Sequence, residues 1–230
     1  MITYKGLPPP LISDHLSREE SRTRYESGTE FHIGKIEMVA NTGTYLDSPF
    51  HRYRDGADLS ALNLESLANL DCIVVRHVGP EEREWERARF PQMPAVQCNS
   101  VTGRAITASV LENLEIKDRA VLFHTGWDMH WRTEHYTSGR HPFLTADAAE
   151  YLANARAALV GIDSYNIDDT ANGSRPAHSS LLAHGIPIVE HLCGLRELPD
   201  SGFRFFAVPV KVKSFGTFPV RAFAIVPDNQ

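Results

Sequence analysis

The residues Asn41 to His51, N-T-G-T-Y-L-D-S-P-F-H, bring an amide, a phenol, a carboxylate and an imidazole into one short stretch. Carboxylate oxygen and imidazole nitrogen are donors that suit zinc or manganese. An imidazole, with an ordinary pKa near 6.5, also takes a proton from water and returns it to a leaving group at neutral pH. The residue types therefore suit water activation and proton transfer. A second block far downstream reads Gly161-Ile162-Asp163, then Arg175-Pro176-Ala177-His178, then Gly185-Ile186-Pro187-Ile188-Val189-Glu190. It adds a further imidazole and a further carboxylate.

The first stretch resembles H-x-G-T-H-x-D-x-P-x-H, the signature of the cyclase-like family that includes bacterial kynurenine formamidases and isatin hydrolases. Gly43, Thr44, Asp47, Pro49 and His51 stand in register with it, while Asn41 and Tyr45 occupy the two positions where the family places metal-binding histidines. His178 and Glu190 fall where the family's downstream ligands lie, and the resemblance runs from Gly34 to Val212. It implies an α/β fold, a swivelling β/β/α single domain on a mixed β-sheet core, assembled as a homodimer or larger oligomer.

The resemblance also implies a site. In the family, the two histidines and the Asp hold one divalent ion, and the same Asp with the downstream His and Glu holds a second. Here the first set is broken: Asn41 offers only an amide oxygen, and Tyr45 must ionise to bind, against a phenol pKa near 10. Asp47, His178 and Glu190 remain as metal ligands, the number typical of a mononuclear catalytic zinc site with water in the fourth position. One zinc or manganese ion is thus expected, the alternative being no ion and a hydrogen-bonded acid–imidazole cluster. His51 is the expected proton carrier, with Asp47 and Tyr45 as further catalytic candidates and Asn41 and Tyr45 as substrate contacts.

The stretch from His124 to His141 is dense in histidine and aromatic residues just after a predicted strand, where binding residues concentrate. His124 and Trp127 are therefore candidate substrate contacts, followed by Asp128 and His130, whereas His130, His135 and His141 fit a surface loop equally well. Gly43-Thr44 and Gly126 are candidate N–H donors to an oxyanion. Asp163, Asp168 and Asp169 follow another strand end, where Asp residues cap helices or close loops, and receive no catalytic role.

Three readings follow. The first is hydrolysis of a small amide, formamide, lactam or lactone by water activated at Asp47, His178 and Glu190, with His51 moving protons. The second is a metal-free cyclase, dehydratase or isomerase using side-chain acids and bases, which contribute roughly 10²- to 10⁴-fold. The third is a non-catalytic small-molecule binder, which the retained Asp47, His51, His178 and Glu190 argue against, because such a polar set is costly to bury.

The elements expected to position these groups are short β-branched and aromatic runs at Cys72–Val78, Ala120–His124, Ala158–Asp163, Ile186–Glu190, Phe205–Val212 and Ala222–Val226. Helical spacing appears at Leu59-Leu62-Leu64-Leu67, at Val110-Leu111-Leu114, and after Thr145, an N-cap for Ala148, Ala149, Leu152 and Ala155. Pro8-Pro9-Pro10 favours an extended segment, and residues 1–33 are either solvated surface or an oligomerisation arm.

At 230 residues and 42% hydrophobic composition the chain supports one sizeable core. A net charge of -6 without a Lys/Arg-rich run argues against nucleic acid as a partner. The start of the chain lacks a secretory signal pattern and no apolar run approaches a membrane span, so a cytoplasmic protein acting on a small molecule is expected. Cys72, Cys98 and Cys193 are widely spaced and fit reduced, structural thiols.

Overall fold

The computed structural model describes residues 6–92 and 103–227, so Cys98 lies outside the described residues. In chain order the strands are β1 (Leu11–Leu16), β2 (Ile33–Glu37), β3 (Tyr45–Asp47), β4 (Leu70–Arg76), β5 (Ala105–Ile106), β6 (Ala120–His124), β7 (Phe143–Leu144), β8 (Leu159–Ile162), β9 (Ile188–Glu190), β10 (Ser201–Phe206), β11 (Thr217–Pro219) and β12 (Phe223–Ile225). The helices are α1 (Arg18–Arg22), α2 (Pro80–Arg89), α3 (Ala146–Asn154) and α4 (Pro176–Ala183). Eight strands form one mixed sheet in the order β11-β3-β9-β8-β6-β4-β10-β12.

The centre of that sheet is parallel, β4 to β6 to β8 to β9, and its residues are buried on both faces, which explains the continuous apolar runs. One face packs on α3 and α4 through Leu152, Ala177, Leu181 and Leu182. The other face meets Leu59, Leu67, Phe203 and Phe205. Toward one edge the pairing becomes antiparallel, with β3 held between β9 and β11.

Several expectations need correction. The leucine run at 59–67 yields only a single 3₁₀ turn at Leu64–Ser66, because Asp58 accepts hydrogen bonds from Ser60 and Ala61 and closes a turn instead. The Val110 region is likewise a 3₁₀ turn, Ala108–Leu111. The expected strand from Phe205 to Val212 stops at Phe206, just before Pro209, whose missing N–H suits no ladder. Helix α2 escapes the apolar-period test, since its buried residues are Glu82 and Glu86; Pro80 at its start, acids in its first turn and arginines in its last favour it instead.

Strands β1 and β2 form a separate antiparallel ribbon. Leu11, Ile12, Ile33 and Ile36 on it are exposed, Ile12 at 79%. No helix among the described residues is long and apolar enough to cross a membrane.

Candidate active site

Strand alternation brings the two sequence blocks together. Tyr45 pairs with Glu190 and Asp47 with Ile188 across β3 and β9, while Thr217 of β11 pairs with Asp47 from the other side. Leu46 and Val189, the intervening residues, enter the core on the opposite face. Tyr45 and Asp47 therefore share the face toward α4, which carries His178. Pro49 then starts a 3₁₀ turn that returns His51 beside Asp47. That turn needs a glycine opposite it: a Cβ on Gly216 would lie 2.5 Å from the His51 backbone nitrogen.

The atoms at the centre converge without closing on one another. His178 Nε2 lies 3.7 Å from Asp47 Oδ2 and 3.8 Å from Glu190 Oε1. Asp47 is fully buried, and its Oδ2 has no hydrogen-bond partner among the described residues. His178 Nδ1 is bound at 2.6 Å by Asp168 Oδ2, and Asp168 also accepts the backbone N–H groups of Ala177 and His178. Asp168 thus caps α4 and orients the imidazole in one step, the arrangement commonly found behind a metal-bound histidine. Donors 2.0–2.2 Å from one tetrahedral ion lie roughly 3.3–3.6 Å apart. Among the described residues the ligand atoms of Asp47, His51 and His178 lie within 4.8 Å of one another, a group that with the orphaned carboxylate oxygen fits one divalent ion, and Glu190 Oε1 stands outside it, 3.8 Å from His178 Nε2.

The titration state follows from this crowding. Burial disfavours the charged form of His178, yet Glu190, Asp168 and Asp47 outweigh burial and raise its pKa to about 10. Burial raises Glu190 to about 7, although the His178 charge acts in the opposite direction. On Asp168 burial again acts upward, and the His178 hydrogen bond and charge win, lowering its pKa. Tyr45 donates to Glu190 Oε2 at 2.5 Å, and burial together with Glu190 and Asp47 pushes the phenol well above its ordinary 10. A neutral phenol at this position is a donor rather than a ligand.

The pocket over these groups has a volume of about 230 Å³. Tyr45, His178 and Glu190 line its buried end. The half-buried Asn41, Asn166 and Arg175 and the more exposed His51 and Arg52 complete its lining. Arg175 is held in the left-handed region, φ 49°, immediately before Pro176. Such a conformation in a non-glycine residue costs about 1–3 kcal/mol and is sustained by its surroundings.

His124 and Trp127 do not line this pocket. His124 sits against Glu86 at 2.8 Å and Arg76 at 3.0 Å, because the end of β6 faces α2. Trp127 packs against His130 and His135 and donates its indole N–H to Tyr136. The Gly126 N–H is occupied by Asp163, which also binds Thr125, so it is not an oxyanion donor. His141 is buried rather than on the surface and bonds the Asp168 carbonyl. Cys72 is buried and free, and burial raises its thiol pKa; Cys193 is also free.

Two residues at the site carry no motif signal. Thr217 Oγ1 donates to Asp47 Oδ1, since a carboxylate only accepts, and so accepts from His51 Nδ1 at 2.7 Å. This assigns the proton of neutral His51 to Nδ1 and leaves Nε2 as the basic nitrogen. Asp168 was visible only as one of several turn aspartates.

Comparisons with known proteins agree with this fold. A kynurenine formamidase of Bacillus cytotoxicus is 29% identical over 211 residues, covering 90% of this chain and 85% of its own. An isatin hydrolase bound to the product analogue thioisatinate superposes with a TM-score of 0.72 at 22% identity, covering 98% of this chain and 84% of its own. A potential metal-dependent hydrolase with cyclase activity gives 0.67 at 24% identity, covering 95% and 91%. The family profile described as putative cyclase matches residues 6–169, well over half of the sequence, and the protein belongs to the cyclase family.

Proposed function

We propose that the protein is a hydrolase of a small amide-type C–N bond, in a formamide, lactam or related molecule, working with a single divalent ion. The observation that carries this reading is the buried Asp47 Oδ2, without a hydrogen-bond partner among the described residues, 3.7 Å from His178 Nε2, which in turn lies 3.8 Å from Glu190 Oε1 at the pocket. The kynurenine formamidase and isatin hydrolase names of its relatives support the bond type. Asp47, His178 and Glu190 would hold zinc or manganese, which supplies a Lewis acid and brings the pKa of water to about 7.

The chain's own residues do the rest. His51 Nε2 accepts the proton of the attacking water, while Thr217 fixes the ring and its tautomer. As the C–N bond breaks, the same nitrogen returns that proton to the leaving amine. Tyr45 and the Ile167 N–H hold the two Glu190 oxygens, and Asp168 holds His178. Asn41, at the side of the pocket, is placed to contact substrate.

The test is turnover of a panel of formamides, lactams and lactones by zinc- or manganese-loaded protein, with His51→Ala and His178→Ala beside it. Hydrolysis abolished by either substitution supports the reading. Turnover of a stable amide that both variants retain would overturn it.

The exposed apolar ribbon β1–β2 is the arm of a proposed homo-oligomer, extending past residue 33 to Glu37. Light scattering on the intact chain and on an Ile12→Asp, Ile36→Asp variant tests this: the variant should have the lower mass. Free Cys72 and Cys193 accord with a reducing, cytoplasmic setting.

A further inference from the structure

We propose that Asn166 donates a hydrogen bond from Nδ2 to the carbonyl oxygen of the group being cleaved and so stabilises the negative charge which that oxygen takes on. This rests on the hydrolytic reading of the same pocket.

The segment after β8 brings Asn166 into the pocket lining beside Glu190 and His178. Its contacts fix which way the amide points. Oδ1 accepts the Asp168 N–H at 3.0 Å and an Arg175 N–H at 3.3 Å, so this end is the oxygen. The nitrogen is then the atom 3.4 Å from Glu190 Oε2, which as a carboxylate oxygen only accepts. An amide nitrogen carries two hydrogens. Glu190 takes one, and Nδ2 has no second acceptor among the described residues.

The site's other donors are engaged. Tyr45 donates to Glu190, His178 Nδ1 is held by Asp168, and His51 Nδ1 is held by Thr217. The Gly126 N–H belongs to Asp163. Arg175 makes the remaining amide N–H a stronger donor, because hydrogen bonds received by Oδ1 polarise the amide, and a charged donor does so more than a neutral one. Arg175 keeps this contact from a backbone held at φ 49°.

The chemistry calls for such a donor. As the water oxygen bonds to the carbonyl carbon, the C=O π pair moves onto the carbonyl oxygen and His51 Nε2 takes one water proton. The C=O bond then re-forms, the C–N bond breaks, and the amine leaves with the proton His51 carried; the second water proton stays with the acid. Between these steps the oxygen is anionic beside Asp47 and Glu190, two buried carboxylates. A fixed N–H aimed at that oxygen acts on the transition state and therefore on kcat.

The kinetic test uses the panel amide that turns over fastest and its thioamide, whose sulfur is a poor hydrogen-bond acceptor. With saturating metal, Asn166→Ala should lower kcat about 10²- to 10³-fold, leave KM nearly unchanged, and shrink the preference for oxygen over sulfur. Asn166→Ser, which keeps a donor, should recover part of both. Metal content and melting temperature are checked for each variant, because Asn166 also touches Glu190 and Asp168. A loss confined to KM, a loss that follows lost metal, or an unchanged oxygen-to-sulfur ratio overturns the assignment. So does a ratio abolished by Asn41→Ala or Arg52→Gln and retained by Asn166→Ala.

A second measurement needs no turnover. In infrared difference spectra of carbonyl-labelled formanilide on metal-free His51→Ala protein, the bound C=O stretch should lie at lower wavenumber than in an apolar solvent. Adding Asn166→Ala should remove that shift. No formanilide binding, an unshifted carbonyl, or a shift that survives the substitution overturns the donor. An Asn166-dependent shift without turnover of any panel member by loaded enzyme supports the donor and fails the hydrolase.

Discussion

Metal binding at Asp47, His178 and Glu190 should expel protons, because the metal-free site keeps its imidazole charged. His178 is surrounded by carboxylates that hold its pKa at about 10, and burial holds Glu190 at about 7. A ligand must be deprotonated to bind an ion. At pH 7 His178 therefore releases about one proton per ion, and Glu190, whose pKa burial raises, adds to that count where it binds. Each released proton multiplies the apparent association constant about tenfold per pH unit, or about 1.4 kcal/mol. From pH 6.5 to 7.5 zinc affinity should rise at least about tenfold. The assay is calorimetric titration with zinc at pH 7 in buffers of different ionisation enthalpy, which reads the proton count directly, joined to chelator competition at the two pH values. Zinc binding without proton release and with a flat pH dependence would refute the reasoning, since His178 would then be neutral beforehand or uninvolved.

Three further outcomes follow from single groups. Thr217→Val strips Asp47 Oδ1 of its donor and His51 of its anchor; activity should fall about 10–100-fold, chiefly in kcat, and unchanged kinetics would dismiss Thr217 as a positioning residue. Gly216→Ala forces a Cβ against the His51 backbone, which should destabilise the fold by roughly 1–3 kcal/mol and depress activity, as read by melting and turnover. Burial holds His191 neutral down to about pH 4, with Asp47 pulling the other way, whereas the unfolded chain protonates it near 6.5. Its stability contribution is thus complete above pH 6.5 and lost as pH falls toward 4, by about 3 kcal/mol in all. Urea unfolding of parent and His191→Gln between pH 4 and 7 should show the steeper acid loss in the parent; parallel curves would contradict it.

The sequence carried the site's centre because strand alternation is a local rule. Tyr45, Leu46 and Asp47 alternate faces, and the register that sets Tyr45 opposite Glu190 turns two distant motifs into one cluster. A strand-end position does not reveal which face of β6 meets the pocket, so the sequence alone sets His124 among the substrate contacts, whereas its side chain turns to Glu86. Helix α2 was illegible because it buries acids: Glu86 pairs with His124 and Arg196, an electrostatic match between elements that no apolar period records. Thr217 and Asp168 reach the site through the antiparallel edge and the α4 cap, contacts 170 and 10 residues away in sequence from the groups they hold. The strand expected to run to Val212 ended early at a proline-containing stretch, a boundary that composition blurred.

The most direct measurement is elemental mass spectrometry on protein purified without chelator or added metal, beside an Asp47→Ala, His178→Ala double variant whose folding is verified. One zinc or manganese per chain in the parent and none in the variant is the predicted result. No metal in either, even after reconstitution with zinc and manganese, would contradict the single-ion hydrolase.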